Sequence, residues 1–270
     1  MVQVQVLKRA LVVSVLLTLA ACGRGGGQLS VDDDTSPQQI LAMAQAEIDR
    51  KDYNDAADLY LEIERLYPYT VEAEFAVIEA AKAYHEAGNA ILSRAAANRY
   101  LDYYPASQYA ALAQYLVALS YYDKIVDIQR DQQNTFRALQ ELRIVIEQFP
   151  GTEYAELALP KFTTALNQLA GKEMDVGRYY LKRGQFSAAL GRFGAVVNEY
   201  GDTPHLPEAY HRLVEAYLSL GLVNEAARNA AILAERFPET SWNAASQSLM
   251  STGQQANSGG GLFGLVFDRN

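Results

Sequence analysis

Cysteine is almost absent from this sequence, since Cys22 is the only one in 270 residues. A single cysteine cannot form an internal disulfide, so a stable core must come from the apolar residues, which make up 50% of the chain. Basic residues are outnumbered, with 23 Lys and Arg against 32 Asp and Glu and a formal net charge of −9. An acidic chain repels a phosphate backbone, so we expect no nucleic-acid partner.

The residue patterns of enzyme chemistry are missing as well. The three histidines, His85, His205 and His211, have no second histidine, cysteine or carboxylate at a metal-ligand spacing. The sequence has no Gly-x-Ser-x-Gly elbow, and carboxylate pairs such as Glu62 and Glu64 are typical of solvated helix faces. We therefore expect a protein that is not an enzyme and that binds no metal or cofactor.

The N-terminus carries the pattern of an export signal. Lys8 and Arg9 precede an apolar run over 11–19, and two small residues, Ala20 and Ala21, follow it. This order is typical of a signal peptide over 1–21, and the run is too short to cross a bilayer as a helix. No later apolar run reaches the ~18 residues that a membrane-spanning helix needs.

A lone cysteine directly after an export signal suggests lipidation. The residues Leu-Ala-Ala-Cys, ending at Cys22, resemble the lipobox of bacterial lipoproteins. The resemblance implies a diacylglycerol and an N-acyl lipid on Cys22, which would be the only non-protein group on the chain. Gly23 in the next position implies sorting to the outer membrane, with the anchored protein facing the periplasm. The alternative is an ordinary signal peptide in which the cysteine occurs by chance.

A short turn pattern recurs five times in the rest of the chain and predicts its fold. It consists of an aromatic residue, usually a proline, any residue, and a serine or threonine, at 67–70, 104–107, 149–152, 200–203 and 237–240. The aromatic closes an apolar helix, the proline ends that helix, and the hydroxyl residue is placed to N-cap the next. Repeats of 37 to 51 residues are typical of helical solenoids. We predict an all-α protein, an α-solenoid of about five TPR-like helix pairs.

The repeats divide the chain into segments. After a flexible, lipid-anchored tether over 22–35, we predict an N-terminal half with repeats one to three over 36–152. A C-terminal half over 153–252 holds a long helical segment and repeats four and five. A flexible tail over 253–270 contains the apolar stretch 262–267, whose role the sequence leaves open.

Two of the repeats are longer than the others. The third contains a polar insertion, 124–134, which falls between its two helices and predicts a longer loop or a longer helix end. The fourth contains about four extra helical turns, so that 153–183 is either one long helix or two helices broken near Gly171.

The first helices of repeats two and three carry faces that we interpret as a groove for a partner peptide. Aligning the two repeats matches Phe75, Ile78, Lys82 and His85 with Leu112, Tyr115, Leu119 and Tyr122. This 3–4–3 spacing places each set on one side of its helix, the concave side in the TPR pattern. The predicted contact residues are Phe75, Ile78, Lys82, His85, Tyr115 and Tyr122, with Lys82 pairing a carboxylate. The rival interpretation is that these residues pack against a helix over 36–50.

A second candidate contact lies in the fourth repeat. Arg192 stands in an otherwise apolar helix, between residues such as Ala189 and Phe193. An arginine in that position can pair with a carboxylate across an interface, and we predict a partner contact there. An arginine that extends along the surface into solvent is the alternative.

Several stretches together resemble one known family. KDYNDAADLYLEIERLYP (51–68), YPASQYAALAQYLVALSYY (104–122), FPGTEYA (149–155) and RYYLKRGQFSAALGRF (178–193), behind a lipobox and a short tether, resemble the BamD family. These are the TPR lipoproteins of the β-barrel assembly (BAM) machinery. The resemblance implies a non-catalytic scaffold that acts in assembly and insertion of β-barrel proteins into the outer membrane.

The resemblance also implies partners. The POTRA domains of BamA would bind the C-terminal half, unfolded outer-membrane proteins would bind the N-terminal half, and other BAM lipoproteins would complete the complex. A pilotin-like TPR lipoprotein that guides secretin assembly is the alternative within the same class.

Overall fold

The computed structural model describes residues 31–258, and over this range the chain forms eleven α-helices and no β-strand. The helices are α1 (Pro37–Arg50), α2 (Tyr53–Leu66), α3 (Val71–Glu86), α4 (Ala90–Tyr103), α5 (Ala110–Tyr122), α6 (Gln133–Gln148), α7 (Glu153–Lys182), α8 (Phe186–Glu199), α9 (Leu206–Ser219), α10 (Val223–Arg236) and α11 (Ser241–Ser258). Helices that follow one another pack as five pairs, from α1–α2 to α9–α10, and α11 packs on α9 and α10. The first helices of successive pairs also contact one another, α3 with α5 and α5 with α7. The predicted all-α solenoid of five helix pairs is confirmed.

The folded part begins and ends slightly outside the predicted boundaries. The Tyr67 hydroxyl donates to the Thr35 carbonyl over 2.8 Å, and the Arg65 guanidinium lies 3.3 Å from the Asp33 carboxylate. The last residues of the predicted tether therefore attach to α2. At the other end α11 runs to Ser258, beyond the boundary predicted at 252. The predicted signal peptide 1–21, Cys22 and the apolar stretch 262–267 lie outside the described residues.

The recurring turn pattern has the predicted capping role in three of its five copies. Thr70, Thr152 and Thr240 each accept a hydrogen bond from the backbone N–H three residues later, so they N-cap α3, α7 and α11. The hydroxyl of Thr203 donates to the Tyr200 carbonyl over 2.8 Å, as the other threonines do to theirs, but it does not cap α9, which begins later. The predicted cap at Ser107 is also wrong: its hydroxyl accepts from the Tyr109 N–H and binds side chains of neighbouring helices, and α5 begins only at 110.

The segment 153–183 is one helix. α7 contains 30 residues and continues through both Pro160 and Gly171. Gly171 is buried, and an added Cβ would lie 3.3 Å from the Ile128 side chain and 3.4 Å from the His205 ring. The glycine therefore marks a close approach of neighbouring segments to α7 rather than a break in it.

The insertion in the third repeat lies along this long helix. It is the loop between α5 and α6, as predicted, and α7 side chains hold its backbone. The Gln168 amide donates to the Val126 carbonyl over 2.7 Å, and the Lys172 ammonium donates to the Gln129 carbonyl over 3.3 Å. Because the same face of α7 contacts His205, the insertion and the C-terminal repeats meet on one helix.

Candidate partner-binding surfaces

The predicted groove on α3 and α5 is partly closed by packing. Ile78 is fully buried, and Tyr115 is only 8% exposed. The Tyr115 ring lies 5.8 Å from the ring of Tyr154 on α7, because α5 and α7 lie side by side. Ile78 and Tyr115 therefore belong to the core between helix pairs, and their assignment to a ligand groove stays a prediction.

Phe75 keeps an open edge at the N-terminal end of the same face. Its side chain is 38% exposed and lines a shallow cavity of ≈330 Å³. The cavity is lined by Leu41, Val71, Glu72, Glu74, Phe75, Gln108 and Tyr109. Leu41 belongs to α1, so α1 and α3 both border this cavity, while the rival interpretation, packing against the N-terminal helix, stays a prediction. The lining combines apolar side chains with the carboxylates of Glu72 and Glu74.

The two polar members of the predicted groove already have partners within the chain. The Lys82 ammonium donates to both carboxylate oxygens of Glu79, over 2.8 Å and 2.9 Å. The His85 Nδ1 lies 3.7 Å from the Asp123 carboxylate. Because Glu79 already binds the Lys82 ammonium, the carboxylate of a bound peptide would compete with Glu79 for it.

Tyr122 lies beside a cation that the sequence did not point to. The ammonium of Lys161 on α7 lies 4.9 Å from the centre of the Tyr122 ring, within the range of a cation–π contact. The two residues are far apart in sequence and on different helices, so no local spacing links them. The outer end of the predicted groove is thus an aromatic ring with a cation over its face.

Two buried tyrosines show how much of the aromatic content is structural. The Tyr84 hydroxyl donates to the Asp58 carboxylate, and the Tyr100 hydroxyl donates to Glu74 over 3.0 Å. Burial above all, together with these carboxylates, raises the pKa of both phenols above their usual range. Both rings join neighbouring helices and are not available to a partner.

Arg192 has its carboxylate partner inside the chain. Its guanidinium donates to both carboxylate oxygens of Glu173 on α7, over 3.0 Å and 3.3 Å. The carboxylate nearest to Arg192 is thus one of its own chain, and the contact with a partner protein stays a prediction. The Arg192 side chain is still 45% exposed, so the pair forms a charged site on the α7–α8 surface.

A polar cluster joins α11 to α9, and sequence reasoning missed it. His211 Nδ1 and the Ser246 hydroxyl lie 2.8 Å apart, both buried, and the Trp242 ring centre lies 5.2 Å from that of His211. Burial, followed by the charge of Arg212, lowers the pKa of His211. No spacing rule joins residues 35 positions apart on different helices.

The surfaces from residue 31 to residue 258 present apolar edges and half-exposed ion pairs, which are contact features of protein interfaces. Within that range no group of three or more His, Cys, Asp or Glu residues is arranged to hold a metal ion. None of the helices there is long and apolar enough to cross a membrane.

The helical array matches a known protein family. The model of the family YfiO, described as "Outer membrane lipoprotein", matches residues 33–233, from just before α1 into the last turn of α10. The chain belongs to this family. The match spans the capping turns, the insertion and the long helix described above.

Relatives of the chain carry the name "Outer membrane protein assembly factor BamD". The one from Caulobacter vibrioides is 39% identical over 231 residues, which cover 85% of this chain and 76% of the relative. The one from Rickettsia prowazekii is 37% identical over 202 residues, with 72% and 78% covered. The resemblance to the BamD family is therefore confirmed.

A solved structure, a thermophilic TPR protein of Thermus thermophilus, is 19% identical and covers 82% of this chain and 100% of its own. Its TM-score is 0.32, so the fold assignment rests on the helices of this chain.

Proposed function

We propose that this BamD-family chain is a non-catalytic scaffold of the BAM complex, acting in assembly and insertion of β-barrel proteins into the outer membrane. The observation that carries the proposal is 39% identity to the Caulobacter vibrioides assembly factor over 85% of the chain. A solenoid suits this role because stacked helix pairs expose extended surfaces that can hold several proteins at once. The shared name of the relatives lends no support to the pilotin alternative.

We infer that a lipid on Cys22 holds the chain at the outer membrane, with the solenoid in the periplasm. The support is the lipobox that ends at Cys22, followed by Gly23. Several acyl chains, at ~0.8 kcal/mol per buried CH₂, make a stable anchor. A Cys22→Ser variant should lack the added acyl mass and fail to float with membranes. Unchanged mass and flotation would contradict the anchor.

In this proposal unfolded outer-membrane proteins bind the N-terminal half beside Phe75 and Tyr122. These rings are the accessible members of the predicted groove, at the cavity and beneath Lys161 respectively. An exposed ion pair adds only ~0.2–1 kcal/mol, so the rings should dominate over Lys82, whose charge Glu79 already shares.

Peptide binding tests this assignment. A peptide from the C-terminus of a barrel protein should bind several-fold more weakly to Phe75→Ala and Tyr122→Ala than to wild type, with a smaller loss for Lys82→Glu. Leu222→Ala is the matched control, because Leu222 is 43% exposed and lies in the C-terminal half, between α9 and α10. If the ring variants bind as tightly as this control while remaining folded, the receptor site lies elsewhere.

The C-terminal half is the proposed contact for the POTRA domains of BamA. Its support is the half-exposed Arg192–Glu173 pair, which can exchange its internal bond for charges on a partner. Other BAM lipoproteins would bind the remaining surface.

Purification of the lipidated protein from outer membranes, with its partners identified, tests the function as a whole. BamA and BAM lipoproteins should co-purify with it. Recovery of a secretin in their place would overturn the proposal in favour of the pilotin alternative.

A further inference from the structure

One exposed aromatic residue is held in a conformation that bulky side chains rarely adopt. Tyr69, in the turn between α2 and α3, has a φ of 65° and is 93% exposed. Left-handed backbone of this kind favours glycine, because a Cβ crowds the neighbouring carbonyl. A side chain this exposed gains little packing within the chain in return, so folding alone does not explain a tyrosine here.

The same turn elsewhere in the chain uses glycine at this position. Tyr69 is the third residue of the turn 67–70, and Gly151 is the third residue of the turn 149–152. Gly151 has a φ of 78°, and Thr70 and Thr152 cap the following helices in the same way. The two turns therefore share a backbone conformation and differ in that one carries an exposed phenol ring.

Tyr69 lies at the end of the solenoid where the chain enters the fold. Tyr67, two residues earlier, bonds the Thr35 carbonyl, and Gln38 at the start of α1 donates to Glu72 over 3.2 Å. Nine Cα steps separate Cys22 from the first described residue, Val31, a span of at most ~32 Å when fully extended. A lipid on Cys22 thus confines this end of the solenoid to the neighbourhood of the bilayer surface.

Other apolar side chains are exposed at the same end. Val71 at the start of α3 is 80% exposed, and Tyr103 at the end of α4 is 65% exposed. These two helix ends are adjacent because α3 and α4 are antiparallel neighbours. Tyrosine is enriched where membrane proteins meet the headgroup layer, since its ring is apolar and its hydroxyl is hydrated.

The charges around this surface point to the kind of membrane. Asp32, Asp34 and Asp102 are exposed there, and the nearby Arg65 is engaged with two carboxylates. An acidic surface is repelled by anionic lipids. The chemistry therefore fits a zwitterionic headgroup layer, approached by the rings rather than by cations.

We propose that the surface formed by Tyr69, Val71 and Tyr103 contacts the zwitterionic headgroups of the membrane that carries the Cys22 lipid, and so fixes the orientation of the solenoid. The proposal rests on the lipid anchor of the proposed function. The acyl chains hold the protein to the membrane, and the tyrosine turn determines which end of the solenoid faces it.

A tryptophan placed at the turn can report this contact. The lipidated full-length protein with Tyr69→Trp in a Trp242→Phe background would be reconstituted into phosphatidylcholine–phosphatidylethanolamine vesicles containing brominated lipids. Because Trp242 is the only native tryptophan, the signal comes from position 69 alone. The bromines should quench it several times more strongly than in Ile91→Trp, which lies at the opposite end of α3–α4.

Replacing Tyr69 with glycine, the residue at the matching position of the turn 149–152, supplies a second test. Tyr69→Gly should melt at the same or a higher temperature, because glycine accepts this φ, yet the non-lipidated protein should bind the vesicles several-fold more weakly. Adding phosphatidylglycerol should weaken wild-type binding.

Two results would overturn the proposal: equal quenching at positions 69 and 91, or vesicle binding unchanged by Tyr69→Gly. Flotation of the lipidated protein with membranes is measured separately. Loss of flotation indicates loss of the lipid anchor, whereas loss of quenching with flotation intact indicates loss of the contact at Tyr69.

Discussion

The two halves of the solenoid join their helices with a different balance of contacts. In the N-terminal half, buried phenols bond carboxylates of neighbouring helices, as in Tyr84 with Asp58, although Arg99 of α4 also pairs with Glu64 of α2 over 2.8 Å. In the C-terminal half, ion pairs serve the same purpose, and Arg178 of α7 donates to both oxygens of Glu208 on α9 over 3.1 Å and 3.2 Å. A phenol is neutral at physiological pH, whereas an ion pair responds to salt and to nearby charge.

This difference bears on the two kinds of partner proposed for the halves. A surface that receives unfolded chains benefits from exposed rings on a scaffold in which buried, neutral phenols join several of the helices. A surface that receives a folded domain benefits from ion pairs that can be exchanged for the partner's charges. The Arg192–Glu173 pair has this character, being partly exposed and formed across α7 and α8.

The largest effect should come from the apolar joint of the C-terminal half. Phe193 is fully buried, and its ring would lie 2.5 Å from a Cβ at Gly177, so the two helices touch there. Phe193→Ala should lower the free energy of unfolding by ~3–5 kcal/mol through the cavity that it leaves. Denaturant unfolding followed by Trp242 fluorescence would show the earlier midpoint.

The matched N-terminal variant is Leu142→Ala, at another fully buried position. This variant should lower the unfolding midpoint followed by far-ultraviolet circular dichroism, which reports all the helices. It should lower less the midpoint followed by Trp242 fluorescence, which reports the C-terminal half, since stacked repeats interact mainly with their neighbours. If both signals move together in both variants, the halves form one cooperative unit and the distinction between them fails.

Alkali should weaken the N-terminal half first. The pKa of Tyr84 is raised by burial and then by Asp58, so this phenol stays protonated in the folded chain. The protonated Tyr84 phenol contributes fully to the stability of the fold below about pH 10, the pKa of an unfolded tyrosine. That contribution is lost as the pH rises beyond this value. Tyr84→Phe should cost ~0.5–1.5 kcal/mol at neutral pH and reduce the alkaline loss. An unchanged alkaline profile would assign the loss to other groups.

Acid should weaken the C-terminal half. Burial lowers the pKa of His211, so the folded chain holds this imidazole neutral. The stability is complete above about pH 6.5, the unfolded pKa, and falls as the pH drops below it, because the unfolded chain binds the proton. The Trp242 midpoint should therefore fall between pH 7 and pH 5, and His211→Gln should flatten that fall. A wild-type profile that is already flat would contradict this.

The smallest effect on stability is expected at Arg192. Because its pair with Glu173 is partly exposed, Arg192→Glu should lower the free energy of unfolding by only ~0.2–1 kcal/mol. The same substitution should nevertheless weaken co-purification of BamA. The exchanged variant Arg192→Glu/Glu173→Arg restores the internal pair. Restored co-purification would show that the pair acts only within the chain, and continued loss would assign Arg192 a direct contact.

Local features of the fold were predictable, and features that depend on distant neighbours were not. The caps at Thr70 and Thr152 need only a few adjacent residues, and they were predicted. The predicted cap at Ser107 failed because its hydroxyl binds Glu74, 33 positions away. The helix face carrying Ile78 was assigned from spacing alone, but its burial depends on how neighbouring helix pairs stack.

The candidate sites follow the same rule. Arg192 stood out because it interrupts an apolar helix, yet Glu173 lies 19 positions away and reaches it only through the pairing of α7 with α8. Tyr69 belongs to a turn whose pattern was recognised, but the sign of its φ is a property of the backbone. Its likeness to Gly151 follows from the backbone conformations of the two turns and not from their residues.

The length of α7 has a mechanical consequence. Its 30 residues measure ~45 Å, one end packed against α5 and α6 and the other against α8. A tilt of α7 by about 5° would displace one of its ends by roughly 4 Å relative to the other. Because both halves of the solenoid pack on this one helix, such a tilt would move one half relative to the other.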